Sequence, residues 1–131
     1  MRKNTKIVEE WFERGDHDIE SSELLFNANG YTDTICFHAH QAVEKYLKGY
    51  LLYQGDRPRK IHNLEELAKD CATFDKNFLN YLDDCLFLTR YYIETRYPTS
   101  FPYNYPREEA KKAIETANVI IKFIRNKFKN G

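Results

Sequence analysis

Apolar side chains recur at near-helical spacing through the first part of the chain. From Thr5 to about Asn29 they leave glutamates on the opposite side, which predicts an amphipathic helix. Gly15 interrupts this helix at a cost of about 1 kcal/mol relative to alanine, so we expect a close helix crossing or a bend there. The Asn29-Gly30 pair is typical of a left-handed helix stop.

A second helical pattern begins at Thr32 or Asp33, both good N-cap residues, and runs to about Gln54. We expect this to be the most buried helix. The residues predicted on its inner side are Ile35, Ala39, Ala42, Val43, Tyr46, Leu47, Tyr50 and Leu51. The opposite side carries Glu44 and Lys48, whose spacing favours an ion pair worth about 0.3 to 0.5 kcal/mol if the pair is exposed.

Three further helices follow a loop over residues 55–61, where Pro58 and four charged residues oppose regular structure. A short helix covers residues 64–72, with Asn63 as its cap. A longer helix covers 78 to about 95, and its predicted inner residues are Phe78, Leu82, Cys85, Leu86, Thr89, Tyr92 and Ile93. Pro106 fits the first position of a final helix that ends near Phe128.

These helical patterns, without convincing strand alternation, predict an all-α fold. Short connections make neighbouring helices antiparallel, so we expect an up-and-down four-helix bundle with one additional short helix. A chain of 131 residues is the size of one domain, and we assign residues 1–131 to a single unit.

Charge and composition restrict the classes of partner. Twenty basic and twenty acidic residues cancel, so any site for an anion must be local rather than the result of an overall field. The sequence contains no apolar run of about 18 residues, which argues against a membrane span. Three cysteines among apolar neighbours are typical of a reducing compartment. We therefore expect a cytoplasmic protein that has no contact with membranes.

Candidate metal and nucleophile patterns are weak. His38 and His40 are two residues apart on a helix and so point to different sides, and His17 has no histidine partner one turn away. Cys36 and His38 have the same unfavourable spacing for a nucleophile and its base. We expect no metal site and no cofactor.

The segment RYYIETRYPTSFPYNYPR, residues 90–107, joins tyrosines and arginines to three prolines. The prolines forbid a continuous helix and stiffen the connection to the last helix. Within this segment Arg96 and Tyr97 are the candidates for ligand binding, because a guanidinium can bind phosphate and a tyrosine ring can stack on a base.

Three parts of the sequence resemble HEPN domains, the nucleotide-binding helical domains of higher eukaryotes and prokaryotes. They are TICFHAHQAVEKYLKGYLLYQ at 34–54, IHNL at 61–64 and YIETRYP at 92–98, and they follow Asp18 of the first helix in the expected order. The resemblance implies a helical bundle that is commonly dimeric. It also implies a small bacterial or archaeal protein that often acts beside a minimal nucleotidyltransferase.

Many members of the wider superfamily are metal-independent ribonucleases, including toxins of toxin–antitoxin pairs. These enzymes carry an arginine and, a few residues later, a histidine near the start of a late helix. Arg57 and His62 have such a spacing here, with Arg59 between them, but they lie in a loop before the short helix, and no histidine follows His62. The resemblance therefore favours a protein without this activity.

Three functions remain open on the sequence. The first is a non-catalytic HEPN protein that forms a homodimer, works with a minimal nucleotidyltransferase and binds nucleotide or RNA near Arg96, Tyr97, Lys48 and Glu44. The second is a toxin-like, metal-independent ribonuclease that uses Arg57 or Arg59 with His62. The third is a purely structural interaction module whose aromatic segment forms an interface with a partner.

Overall fold

Five α-helices and one 3-10 helix make up the chain in the computed structural model, which describes residues 5–96 and 104–129 and leaves out the side chains of residues 94–96. The α-helices are α1 (Thr5–Asn27), α2 (Thr32–Tyr53), α3 (Leu64–Ala72), α4 (Leu82–Arg96) and α5 (Arg107–Lys129). The 3-10 helix, Lys76–Tyr81, directly precedes α4. The predicted all-α bundle is confirmed, and within these residues no helix has the length and apolar character to cross a membrane.

Helix α2 is the centre of the bundle, as the sequence predicts. Each of the other four α-helices packs against it. Every residue predicted on its inner side is buried, and so are the three cysteines, which are free thiols. Burial raises the pKa of the Cys36 thiol to about 12, which makes it an inert part of the core.

Helices α1 and α2 approach each other closely at two glycines. A Cβ atom at Gly15 would lie 2.8 Å from Cδ2 of Tyr46, and one at Gly49 would lie 2.7 Å from Cε1 of Phe12. The rings of Phe12 and Tyr46 stack with centroids 4.5 Å apart, and the Tyr46 hydroxyl donates a hydrogen bond to Asp16 at 2.5 Å. Both rings are therefore fixed, and the close crossing predicted at Gly15 is confirmed.

The helix ends predicted from the sequence are confirmed in part. Asn29 has a φ of 59° and forms the left-handed stop after α1. Asn63 accepts a hydrogen bond from the amide of Glu66 and so caps α3 as predicted. The predicted cap of α2 was wrong, because Tyr31 occupies that position and makes no side-chain cap bond.

The predicted inner face of the fourth helix was wrong at two positions. Leu86 and Ile93 are 52% and 55% exposed, while Leu88 and Tyr91 are buried instead. The cause is the 3-10 helix, in which each residue turns about 120° rather than about 100°. Over the roughly four residues from Phe78 to Leu82 this difference adds up to a rotation of about 80°.

Replacing Gly15 by alanine tests the crossing of α1 and α2. Overpacking against the fixed Tyr46 ring costs up to about 3 kcal/mol, which outweighs a gain of about 1 kcal/mol in helix propensity. We therefore expect a lower free energy of unfolding in urea. Glu20→Ala, at an exposed position of the same helix, is the control and should change stability by less than about 0.5 kcal/mol. A Gly15→Ala variant as stable as the original chain would contradict the close contact.

Candidate functional site

A buried ion pair on α2 forms the base of the candidate site. Lys48 Nζ donates a hydrogen bond to Glu44 Oε2 at 2.8 Å, and both side chains are about nine-tenths buried. The exposed pair considered from the sequence is therefore wrong. The reason is that the loop before α3 brings His62 onto this side of α2, where it contacts Glu44.

His62 is held between a carboxylate and an aromatic ring. Its Nδ1 lies 3.1 Å from both carboxylate oxygens of Glu44, and its ring stacks on Tyr92 with centroids 4.0 Å apart. Because an ionised carboxylate only accepts hydrogen bonds, the ring hydrogen belongs on Nδ1, and Nε2 of the neutral ring is left as an acceptor. The side chain remains 43% exposed, so a ligand can reach it.

His40 and Thr89 fix the backbone beneath this histidine. The fully buried His40 places Nε2 2.8 Å from the carbonyl oxygen of His62 and Nδ1 2.9 Å from the side-chain amide of Gln41. Burial lowers the pKa of His40, because desolvation disfavours the imidazolium. Thr89 accepts a hydrogen bond from the amide of Leu64 at 2.8 Å and donates one to the same His62 carbonyl at 3.3 Å.

A pocket of about 330 Å³ opens beside His62. It is lined by Ile61, His62, Asn63, Thr89, Tyr92 and Ile93. Most of this lining is apolar, and the His62 ring supplies a polar edge. Such a surface suits a planar ring that stacks on one face and accepts or donates hydrogen bonds at its edge.

The two ligand candidates from the aromatic segment lie at or beyond the end of α4. Arg96 is the last residue of α4, one helical turn after Tyr92, and its side chain is outside the described part of the chain. Tyr97 lies outside the described residues altogether. Their role as site residues stays a prediction.

The two loop arginines differ in their surroundings. The guanidinium of Arg59 donates to both carboxylate oxygens of Asp70, at 2.8 and 3.1 Å, and to Glu66 at 3.3 Å. Hydrogen bonds to these α3 carboxylates raise the pKa of Arg59. Arg57 is exposed on the loop. The fold thus joins His62 to Glu44 and directs Arg59 to α3.

Asp16 and Asp18 of α1 form a second polar network. Asp18 accepts hydrogen bonds from Lys45 at 2.5 Å and from His38 at 2.9 Å, and Asp16 accepts one from Arg125 at 2.7 Å. Burial alone would raise the pKa of Asp18, but the bonds from His38 and Lys45 outweigh it and lower that pKa. This network ties α1 to α2 and α5.

Sequence reasoning missed His40, Thr89 and Tyr92 as parts of the site. His40 could have been recognised from its position four residues before Glu44, which puts both on one side of α2. In the structure Nδ1 of His40 lies 4.0 Å from Oε1 of Glu44. Nothing in the spacing indicated that Thr89 and Tyr92 would meet the loop. Within the described residues, no group of three histidine, cysteine or carboxylate side chains could hold a metal ion.

Comparisons with known proteins agree with this architecture. The chain is similar to the crystal structure of TT1696 from Thermus thermophilus, with 28% identity, a TM-score of 0.82 and coverage of 92% of this chain and 98% of that one. It is also similar to ST0689, an archaeal HEPN homologue, with 26% identity, a TM-score of 0.76 and coverage of 93% and 98%. A search of curated proteins gave no match. Because a model of the HEPN domain matches residues 8–127, the chain belongs to the HEPN domain family.

Proposed function

We propose that this chain is a non-catalytic HEPN protein that forms a homodimer, works with a minimal nucleotidyltransferase and binds nucleotide or RNA. It acts as one domain, residues 1–131, in the cytoplasm. The observation that carries the ligand proposal is the pocket beside the stacked His62 and Tyr92 rings. The nucleotidyltransferase partner rests on the resemblance of residues 34–54, 61–64 and 92–98 to HEPN domains, which often act beside such an enzyme.

The ligand is proposed to enter at the end of α4. A volume of about 330 Å³ is enough for a nucleobase. Arg96 and Tyr97, which follow in the sequence, are the proposed phosphate-binding cation and second stacking ring. Glu44 and Lys48 have an indirect role in this proposal. They are too buried to form most of a binding surface, and they support the site by holding His62 in place.

The surroundings of Arg59 support a role without catalysis. Metal-free cleavage of RNA needs a histidine to move a proton and a cation to stabilise the charged phosphorane at the same phosphate. Arg59 is instead bound by two carboxylates of α3. To join His62 it would have to give up both interactions.

A ribonuclease is the second candidate, and one observation favours it. The hydrogen bond from His62 Nδ1 to Glu44 leaves Nε2 as a proton acceptor on a residue that lines the pocket, which is the arrangement of a general base. In this alternative Arg57 or Arg59 binds the phosphate.

Arg96→Ala tests the proposed ligand site. Losing one charge-assisted hydrogen bond to phosphate should weaken binding of ATP or of a short RNA about tenfold. Isothermal titration calorimetry measures the affinity, and Arg14→Ala, at an exposed position of α1, is the matched control. If the unmodified chain binds neither ATP nor RNA, or if both variants bind equally well, the proposed site is wrong.

The buried pair can be tested by comparing a single with a double substitution. Lys48→Met leaves Glu44 buried without its main cation and should lower the free energy of unfolding by about 3 to 5 kcal/mol. Glu44→Leu combined with Lys48→Met removes both charges and should recover most of that loss. Urea unfolding gives both values. If the double variant is no more stable than Lys48→Met, the loss of stability does not come from burying the Glu44 charge without its cation.

His62→Ala separates the two candidate functions. The non-catalytic proposal expects the purified chain to leave RNA and tRNA intact on a denaturing gel, with no difference between the original and the variant. Cleavage that disappears in His62→Ala, but persists in a His17→Ala control on the exposed side of α1, would establish the ribonuclease instead.

A further inference from the structure

Two consecutive loop residues give the pocket its polar character. His62 and Asn63 both line it, and each already makes a hydrogen bond elsewhere in the chain. The other lining side chains are apolar or aromatic, apart from Thr89. The Thr89 hydroxyl accepts from the amide of Leu64 and donates to the carbonyl of His62, so its hydrogen is already in use. Recognition of a ligand edge therefore falls to His62 and Asn63.

The existing bonds fix what each of these two residues can offer. His62 gives the hydrogen of Nδ1 to Glu44, which leaves Nε2 as an acceptor. Asn63 accepts the amide hydrogen of Glu66 at 3.0 Å, so its oxygen is in that bond and its NH2 group remains as a donor. In the part of the chain that the structure describes, neither Nε2 nor this NH2 group has another partner. The loop thus presents one acceptor beside one donor.

We propose that the pocket selects a base whose exocyclic amine adjoins a ring nitrogen without a hydrogen, as in adenine and cytosine. The inference rests on the proposed nucleotide site and names the bases that this site takes. The amine donates to Nε2 of His62, and the ring nitrogen accepts from the NH2 group of Asn63. Because the rest of the lining is mostly apolar, a base edge that does not match these two groups has few other partners there.

Hypoxanthine and uracil have the same rings as adenine and cytosine but the opposite order of polar groups. A carbonyl oxygen replaces the amine, and the adjoining ring nitrogen carries a hydrogen. Two acceptors then meet at His62 and two donors meet at Asn63. Turning the base over would restore the match, but it would also move the ribose, which has to point out of the pocket. Since the edge that is read is the one that pairs in a duplex, the ligand is a free nucleotide or a single strand.

Matched pairs of nucleotides test the proposal. ATP and ITP differ only in the base, and so do CTP and UTP, so contacts to ribose and phosphates cancel in each ratio of affinities. By isothermal titration calorimetry at about pH 8, where imidazole is neutral, we expect ATP to bind at least about tenfold more tightly than ITP, and CTP than UTP. Equal affinities within both pairs would overturn the proposal and leave the nucleotide site intact. If none of the four binds, the proposed ligand site fails as well.

Two substitutions test whether the loop is the source of the preference. His62→Phe keeps a ring that can stack on Tyr92 but removes Nε2, and Asn63→Asp keeps the cap of α3 but replaces the donor by an acceptor. Each variant should bind ATP and ITP about equally. Asn80→Asp adds the same charge at an exposed position of the 3-10 helix, and this control should keep the preference. Circular dichroism shows which variants are folded, and a preference that survives in either folded loop variant would overturn the assignment.

Discussion

A central helix that is covered on nearly every side can keep charged residues only if each finds a partner inside the protein. Helix α2 is such a helix, and Glu44 and Lys48 lie on it side by side and buried. Removing either charge from water costs several kcal/mol unless the other compensates for it. Asp18 of α1, whose side chain is 13% exposed, likewise has a partner in Lys45 of α2. The partners of α2 therefore fix much of the packing around it.

The buried pair also determines where the site lies. Glu44 uses both carboxylate oxygens for His62, and this brings the loop before α3 onto α2. Stacking of His62 on Tyr92 then ties the loop to α4. The pocket opens at this junction of the loop and α4, so its shape depends on a carboxylate that is itself almost hidden from solvent.

Helix positions and the bundle were predictable because they follow from local apolar periodicity. The orientation of α4 was not, since a short 3-10 helix rotates it and exposes Leu86 and Ile93. The site was predictable in part: His62 and Glu44 were candidates, but their contact depends on a loop of residues 55–63 whose path no periodic pattern specifies. The carboxylates that bind Arg59 lie on α3. The number of charged residues in the sequence does not show which carboxylates this arginine will bind.

The hydrogen position on His62 tests the central claim most directly, namely that buried Glu44 orients this ring. Nitrogen-15 correlation spectra of the imidazoles, recorded above the pH at which histidine is protonated, distinguish the two neutral tautomers. The geometry predicts the hydrogen on Nδ1 of His62, donated to Glu44. A His62 ring with its hydrogen on Nε2 would contradict the account, because Glu44 would then receive no hydrogen bond from it.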